Sequence, residues 1–246
     1  MGSGRSGTSM VAGTLYGAGY FMGENILPAT SLNPKGYYES KDVEQINEAL
    51  LSQIVPSRPR GFLGNFFRDR PTRNLRWLAR VPMGAKINYS PEITLEIEAL
   101  TQKQPFCFKD PRFCYTLPVW RPVLKDTVFL CIFRHPAATA SSIMNLHDKN
   151  KLEGLAINFQ QALMVWQLMY QHILQIHRHE GPWLFMHYDQ VLQAEGLDKI
   201  ESFIEGKIDR NFPDQSLKKS VVYKPVNSQV QEVYETLCKL AHYTDK

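Results

Sequence analysis

No uninterrupted apolar run of about 18 residues occurs in the chain, so no transmembrane helix is expected. The N-terminal Met1-Gly-Ser-Gly-Arg-Ser6 has no apolar core, which argues against a secretory leader. No internal repeat and no low-complexity linker divides the sequence. Cysteine is scarce: Cys107, Cys114, Cys131 and Cys238 form no C-x-x-C pair, and two of them lie inside apolar runs. That argues against a disulfide framework and for a reduced, cytoplasmic chain with buried thiols. A histidine metal site is also lacking. His172, His177 and His179 are spaced five and then two residues apart, which does not put all three on one helix face, and no metal is expected.

What is present is ordinary in bulk and uneven in detail. Of 246 residues, 43% are hydrophobic and 21% charged, which suits a folded domain rather than a disordered tail, a fibre or a coiled coil. The length favours a single domain over residues 1–246. The net charge of +4 is too mild to argue for nucleic acid. Between Pro56 and Asn88, however, Arg58, Arg60, Arg68, Arg70, Arg73, Arg76, Arg80 and Lys86 are opposed only by Asp69. This segment is net +7, which leaves the rest of the chain at −3. Two readings stand: a solvated basic face, or an electropositive flap beside an anionic ligand. Phe62, Phe66, Phe67 and Trp77 are interleaved with the cations, but the remainder is acidic and carries no nucleic-acid module, so no nucleic-acid partner is expected.

Apolar periodicity and turn residues predict helices over 9–17 (with Thr8 as N-cap), 41–53, 72–80, 92–102, 137–145, 152–177, 197–204 and 229–241. Short strands are expected at 20–23, 106–109 and 183–187. The clearest is Val128-Phe-Leu-Cys-Ile-Phe133, an unbroken apolar run of the kind covered on both faces in a parallel sheet. Strands alternating with helices predict an α/β fold, a three-layer parallel sheet with a mostly helical, basic insertion over about 40–104.

Gly2-Ser-Gly-Arg-Ser-Gly-Thr-Ser9 leads straight into the first helix. Glycines let backbone N–H groups turn inward, and a helix N-terminus favours an anion. The pattern is close to G-x-x-x-x-G-K-[ST], but Thr8 holds the lysine position and the loop's cation is Arg5. A magnesium-dependent triphosphate site is therefore poorly supported, while an anion-binding loop is expected. Only Met1 precedes this loop, so its supporting strand is expected to be nearly absent. Arg134 follows the best strand, where ligands of open parallel sheets bind. Ser142 lies eight residues further on and can face the same side.

These residues resemble a known family, the sulfotransferases that use 3′-phosphoadenosine 5′-phosphosulfate (PAPS). Arg5-Ser-Gly-Thr8 resembles their 5′-phosphosulfate loop, and Arg134 with Ser142 resembles their 3′-phosphate motif. The resemblance continues at Asn33-Pro-Lys-Gly-Tyr-Tyr-Glu39, Lys109-Asp-Pro-Arg112, Trp166 and His187-Tyr-Asp-Gln-Val191. The pattern is that of a bacterial-type member, similar also to protein-tyrosine sulfotransferases.

The resemblance implies roles. Arg5 clamps the phosphosulfate, and the segment Gly4, Arg5, Ser6, Gly7, Thr8 and Ser9 cradles it with amides and hydroxyls. Lys109 contacts the transferring group, and Arg134 and Ser142 take the 3′-phosphate. Tyr188 lies near the adenine, and Lys224 is a C-terminal phosphate contact. The implied reaction is in-line transfer of sulfuryl to a hydroxyl or amine, with no metal. Glu24 and Glu39 compete as general base, Glu24 slightly preferred, with His147 a third candidate. Asp110 and Arg112 are expected to form an ion pair that holds Lys109. The basic segment points to an anionic acceptor or carrier. A kinase using ATP and magnesium, and an inactive protein that only binds 3′-phosphoadenosine 5′-phosphate, remain as alternatives.

Overall fold

The computed structural model describes residues 1–30, 33–149, 151–217 and 224–244. Helix α1 (Thr8–Gly17) follows the glycine loop, and α2 (Lys41–Ser52) starts at Ser40, whose hydroxyl accepts from the Asp42 amide. The basic segment forms two 3₁₀ turns, Phe62–Phe67 and Arg73–Leu78, where one α-helix over 72–80 was expected. Next come α3 (Pro91–Thr101), α4 (Phe113–Trp120), β1 (Phe129–Phe133) and α5 (Pro136–Asp148). The long helix α6 (Phe159–Gln175) starts seven residues later than predicted, because Asn158 and Gln161 form a reciprocal capping box that fixes its first turn. Strand β2 (Trp183–His187), α7 (Tyr188–Val191), α8 (Ala194–Ile204) and α9 (Ser228–Leu240) complete the chain.

The fold is mixed α/β and about half helical. The expected three-layer sheet needs correction: among the described residues the sheet has two strands, β1 and β2, parallel and in register from Phe129↔Trp183 to Phe133↔His187. The predicted strands at 20–23 and 106–109 meet only as an isolated parallel bridge, Phe21↔Phe106. A cavity of about 280 Å³, lined by Met1, Phe106, Phe108, Trp120 and Leu130 among others, adjoins both this bridge and β1. Met1 alone continues the ladder on that edge of β1: its amino group donates to Leu130 O and its carbonyl accepts from the Ile132 amide at 2.9 Å.

Helices α5 and α6 pack on each other beneath β1, and one core joins Phe133, Ile143, Trp166, Tyr170 and Ile173. Leu75, Leu78, Ala79 and Val81 of the basic segment belong to the same core. The segment is therefore built into the domain, and is not a flap laid over it. Cys114 and Cys131 are core groups, while Cys107 is half-buried at the cavity; burial pushes Cys107 up to about 11 and Cys114 up to about 12, which favours the thiol form of both.

Helix α4, not predicted from sequence, contains Pro118. Proline has no N–H to offer the carbonyl four residues back. That carbonyl, Cys114 O, is instead bonded by His177 Nε2 at 2.9 Å. His177 is 2% exposed, and burial lowers its pKa to about 4. The unfolded chain takes up this proton near pH 6.5, whereas the folded chain resists it down to about pH 4. Stability is thus full above pH 6.5 and falls as pH drops through that window. Urea unfolding should show a loss of about 2 kcal/mol between pH 7 and pH 5 from this group alone. His177→Gln, which keeps an amide donor for Cys114 O, should flatten that slope; an unchanged slope would assign the acid sensitivity elsewhere.

Candidate functional site

The loop of residues 2–9 lies at the C-terminal ends of both strands. Its shape comes from close approach. At Gly4 a Cβ would sit 2.6 Å from the Trp77 ring. At Gly7, the N-cap of α1, φ is +92°, and a Cβ would sit 2.4 Å from the Tyr188 ring. Gly7, not Thr8, is therefore the cap, because only glycine combines the left-handed conformation with this contact. No side chain caps the first turn of α1; the Met10 amide donates to Gly7 O at 3.0 Å, and among the described residues those of Thr8 and Ser9 are left for another acceptor.

Three hydroxyl contacts hold the loop. Tyr170 OH donates to Ile132 O at 2.7 Å and accepts from the Ser3 amide at 3.2 Å. Ser6 Oγ pairs with Thr139 Oγ1 of α5 at 3.2 Å. Arg5 Nε donates to Ser142 Oγ at 3.0 Å. Arg5 itself has φ +71°, a costly region for a side-chain-bearing residue that the surrounding contacts must maintain. Its two terminal guanidinium nitrogens have no hydrogen bond or ion pair among the described residues.

Arg134 comes from the end of β1 and lies with its guanidinium 5.0 Å from the Tyr188 ring centroid, a cation–π contact. Arg5 and Arg134 feel each other's charge. Burial first, and Arg134 after it, lower the Arg5 pKa, while Tyr37 opposes the shift. The structure thus gathers Arg5, Ser142, Arg134 and Tyr188 from four stretches of sequence into one electropositive corner at the mouth of α1.

Lys109 and Thr8 line the same cavity. Its ammonium is ion-paired with Glu39, and both side chains are largely buried. Glu24 is elsewhere: it forms an exposed pair with Lys103. The two candidate bases are thus placed differently: the Glu24 carboxylate is on the surface, while that of Glu39 is on Lys109. His147 is beside Asp148 at the exposed end of α5. Lys224 sits 5.0 Å from the Phe159 ring centroid at the start of α6, and the residues 221–223 before it lie outside the described residues. Among the described residues no three His, Cys, Asp or Glu side chains are grouped to hold a metal ion. His172 and His177 each direct Nε2 to a backbone carbonyl.

The expected pairing of Asp110 with Arg112 is part of a larger buried cluster. Arg112 reaches Asp110 at 3.1 Å, Glu48 at 2.7 Å and Glu44 at 3.2 Å. Glu48 also accepts from Arg76 at 2.6 Å. Burial alone would lower the Arg112 pKa; the three carboxylates outweigh it and raise it. Sequence reasoning missed Tyr170, Thr139 and Trp77 as loop supports. The signal for Tyr170 was a hydroxyl inside an otherwise apolar helical stripe, which requires a buried partner.

Comparison with family models, with curated proteins and with solved structures finds no match to this chain.

Arg112→Ala should leave Asp110 and Glu48 buried with one fewer cation. The expected loss is about 3–5 kcal/mol in urea unfolding at pH 7. A change below 1 kcal/mol would mean that the cluster relaxes onto water and does not hold the site.

Proposed function

We propose that the protein is a sulfotransferase that uses 3′-phosphoadenosine 5′-phosphosulfate as donor and an oxygen or nitrogen nucleophile as acceptor. One observation carries this reading: the hydrogen bond from Arg5 to Ser142, with Arg134 close by, joins two motifs that stand far apart in sequence. The residues suit a nucleotide with two separate anionic groups. The loop offers uncapped helix amides and two free guanidinium nitrogens, and a second arginine stands one contact away. Thr8, at the position where a triphosphate loop carries lysine, favours this reading over an ATP kinase.

When bound, the donor supplies a sulfuryl group on a phosphate leaving group. Arg5 and the amides of Gly7, Thr8 and Ser9 bind the 5′ side. Arg134 and Ser142 bind the 3′-phosphate, and the Tyr188 ring, already shared with Arg134, borders the base. Lys109 neutralises charge on the bridging oxygen as its bond to sulfur breaks. Glu39 takes the proton from the acceptor as the new bond to sulfur forms. The proton ends on the Glu39 carboxylate and the leaving group departs as 3′-phosphoadenosine 5′-phosphate. Arg70, Arg80, Asp69 and Gln161 border a second cavity of about 190 Å³ in the basic segment, where two arginines against one acid suit an anionic group on the acceptor.

Thermal unfolding with 3′-phosphoadenosine 5′-phosphate tests the donor. At a hundredfold excess over Kd the gain is about 2.7 kcal/mol, a shift of several degrees for a chain of this size. A shift with ATP and magnesium alone would overturn the reading, and Arg5→Ala should abolish the nucleotide shift. In a sulfate-transfer assay Glu39→Gln should lose about 100-fold or more in kcat while retaining nucleotide affinity. Glu24→Gln should match wild type. The reverse result would restore Glu24 as base, and nucleotide binding without transfer to any acceptor would mark an inactive binder.

A further inference from the structure

The 3₁₀ turn Phe62–Phe67 exposes three large apolar side chains together: Phe62 is 77%, Leu63 61% and Phe66 69% exposed. Phe62 and Phe66 meet edge to face, with centroids 5.5 Å apart, so they form one apolar knob. The knob protrudes, since a Cβ added at the neighbouring Gly61 would have nothing within 4 Å.

Its base is fixed. Arg58 Nε donates to Gly64 O at 2.8 Å, its Nη1 donates to Glu153 O and Gly154 O at 3.1 Å, and its amide donates to Pro71 O at 3.1 Å. The side chains are thus presented by an anchored turn, and their exposure is not the result of a frayed end. Of the same segment's cations Arg60, Arg68, Arg73, Arg80 and Lys86 are all exposed, while Arg70 lies half-buried 4.3 Å from the Phe67 ring centroid. Asp69 is the segment's single acid.

We propose that this tip docks the protein peripherally on an anionic lipid surface. A protruding apolar knob needs a soft apolar medium, and the exposed cations of the same segment need phosphates or carboxylates at the same boundary. A lipid interface supplies both within one plane. The net −3 of the remaining chain would be repelled by the same surface, which orients the molecule with residues 56–88 facing the lipid. No helix among the described residues is long and apolar enough to cross a membrane, so the attachment is to one face. This proposal rests on the surface alone and is independent of the donor reading.

Flotation of the full chain with vesicles tests it. Binding to phosphatidylserine-rich vesicles should exceed binding to pure phosphatidylcholine vesicles at least tenfold, and it should weaken with salt. The triple variant Phe62→Ser/Leu63→Ser/Phe66→Ser should lose at least tenfold in affinity for the anionic vesicles, with an unchanged unfolding midpoint because all three residues are exposed. Arg60→Glu/Arg73→Glu should weaken binding to a similar degree. Equal binding to both vesicle types, or no binding to either, would overturn the proposal. So would a triple-serine variant that binds as tightly as wild type. Binding of single-stranded RNA more tightly than of anionic vesicles would also overturn it, and would reassign the tip to nucleic acid.

Discussion

Arg112 is a guanidinium with 1% exposure set among three carboxylates, and its neighbours come from three parts of the chain. Glu44 and Glu48 come from α2, Asp110 from the segment before α4, and Asn74 contributes a carbonyl from the second 3₁₀ turn at 3.1 Å. Glu48 shares its second oxygen with Arg76 of that turn. A buried charge that loses a partner is costly, so the pieces hold one another in register. The consequences reach both flanks of the glycine loop. Lys109 is one residue from Asp110, and Trp77 is one residue from Arg76. The cluster therefore sets the ammonium beside α1 and the indole against Gly4.

The loop lives between opposed demands. Arg5 sits at a positive φ and close to a second arginine, both of which cost free energy. Tyr170, Thr139 and Ser142 offset that cost through hydroxyls on two helices that are themselves packed together. Among the described residues no carboxylate pairs with Arg5, so positive charge is concentrated at this corner. The carboxylates nearby are committed elsewhere, Glu39 to Lys109 and Glu48 to two arginines. This division of charge is the physical basis of the donor reading proposed above.

Much of this organisation was legible in the sequence. The run Val128–Phe133 and the segment Trp183–His187 read as buried strands and are the two strands of the sheet, because continuous apolar character leaves few alternatives. Helices with strong caps, such as α2 after Ser40, read within a residue or two. Helix α4 did not, because Pro118 speaks against a helix locally and the compensating donor, His177, comes from 59 residues away. The strand expectations at 20–23 and 106–109 went too far for a related reason. Apolar alternation shows that backbone is extended, but ladder formation depends on whether another strand runs alongside, and here only Phe21 and Phe106 pair. The arginine-rich segment was legible as charge but not as architecture: Arg58 and Arg76 bond backbone carbonyls of the domain, Arg70 lies against Phe67, and the other cations are exposed.

By itself the sequence determined the kinds of chemistry available: a glycine loop with arginine in place of lysine, a second arginine after the best strand, and thiols and histidines without metal spacing. These follow from residue identity and short-range spacing, which local sterics and hydrogen bonding translate directly into backbone shape. Tertiary structure alone decided which groups share a space. It brought Arg5 to Ser142 and Glu39 to Lys109, left Glu24 on the surface with Lys103, buried Arg76 of the arginine run against Glu48, and left an apolar knob exposed in the same segment. The reason is that side-chain proximity across tens of residues is set by packing and by buried charge pairing, and neither is written in the order of residues along the chain.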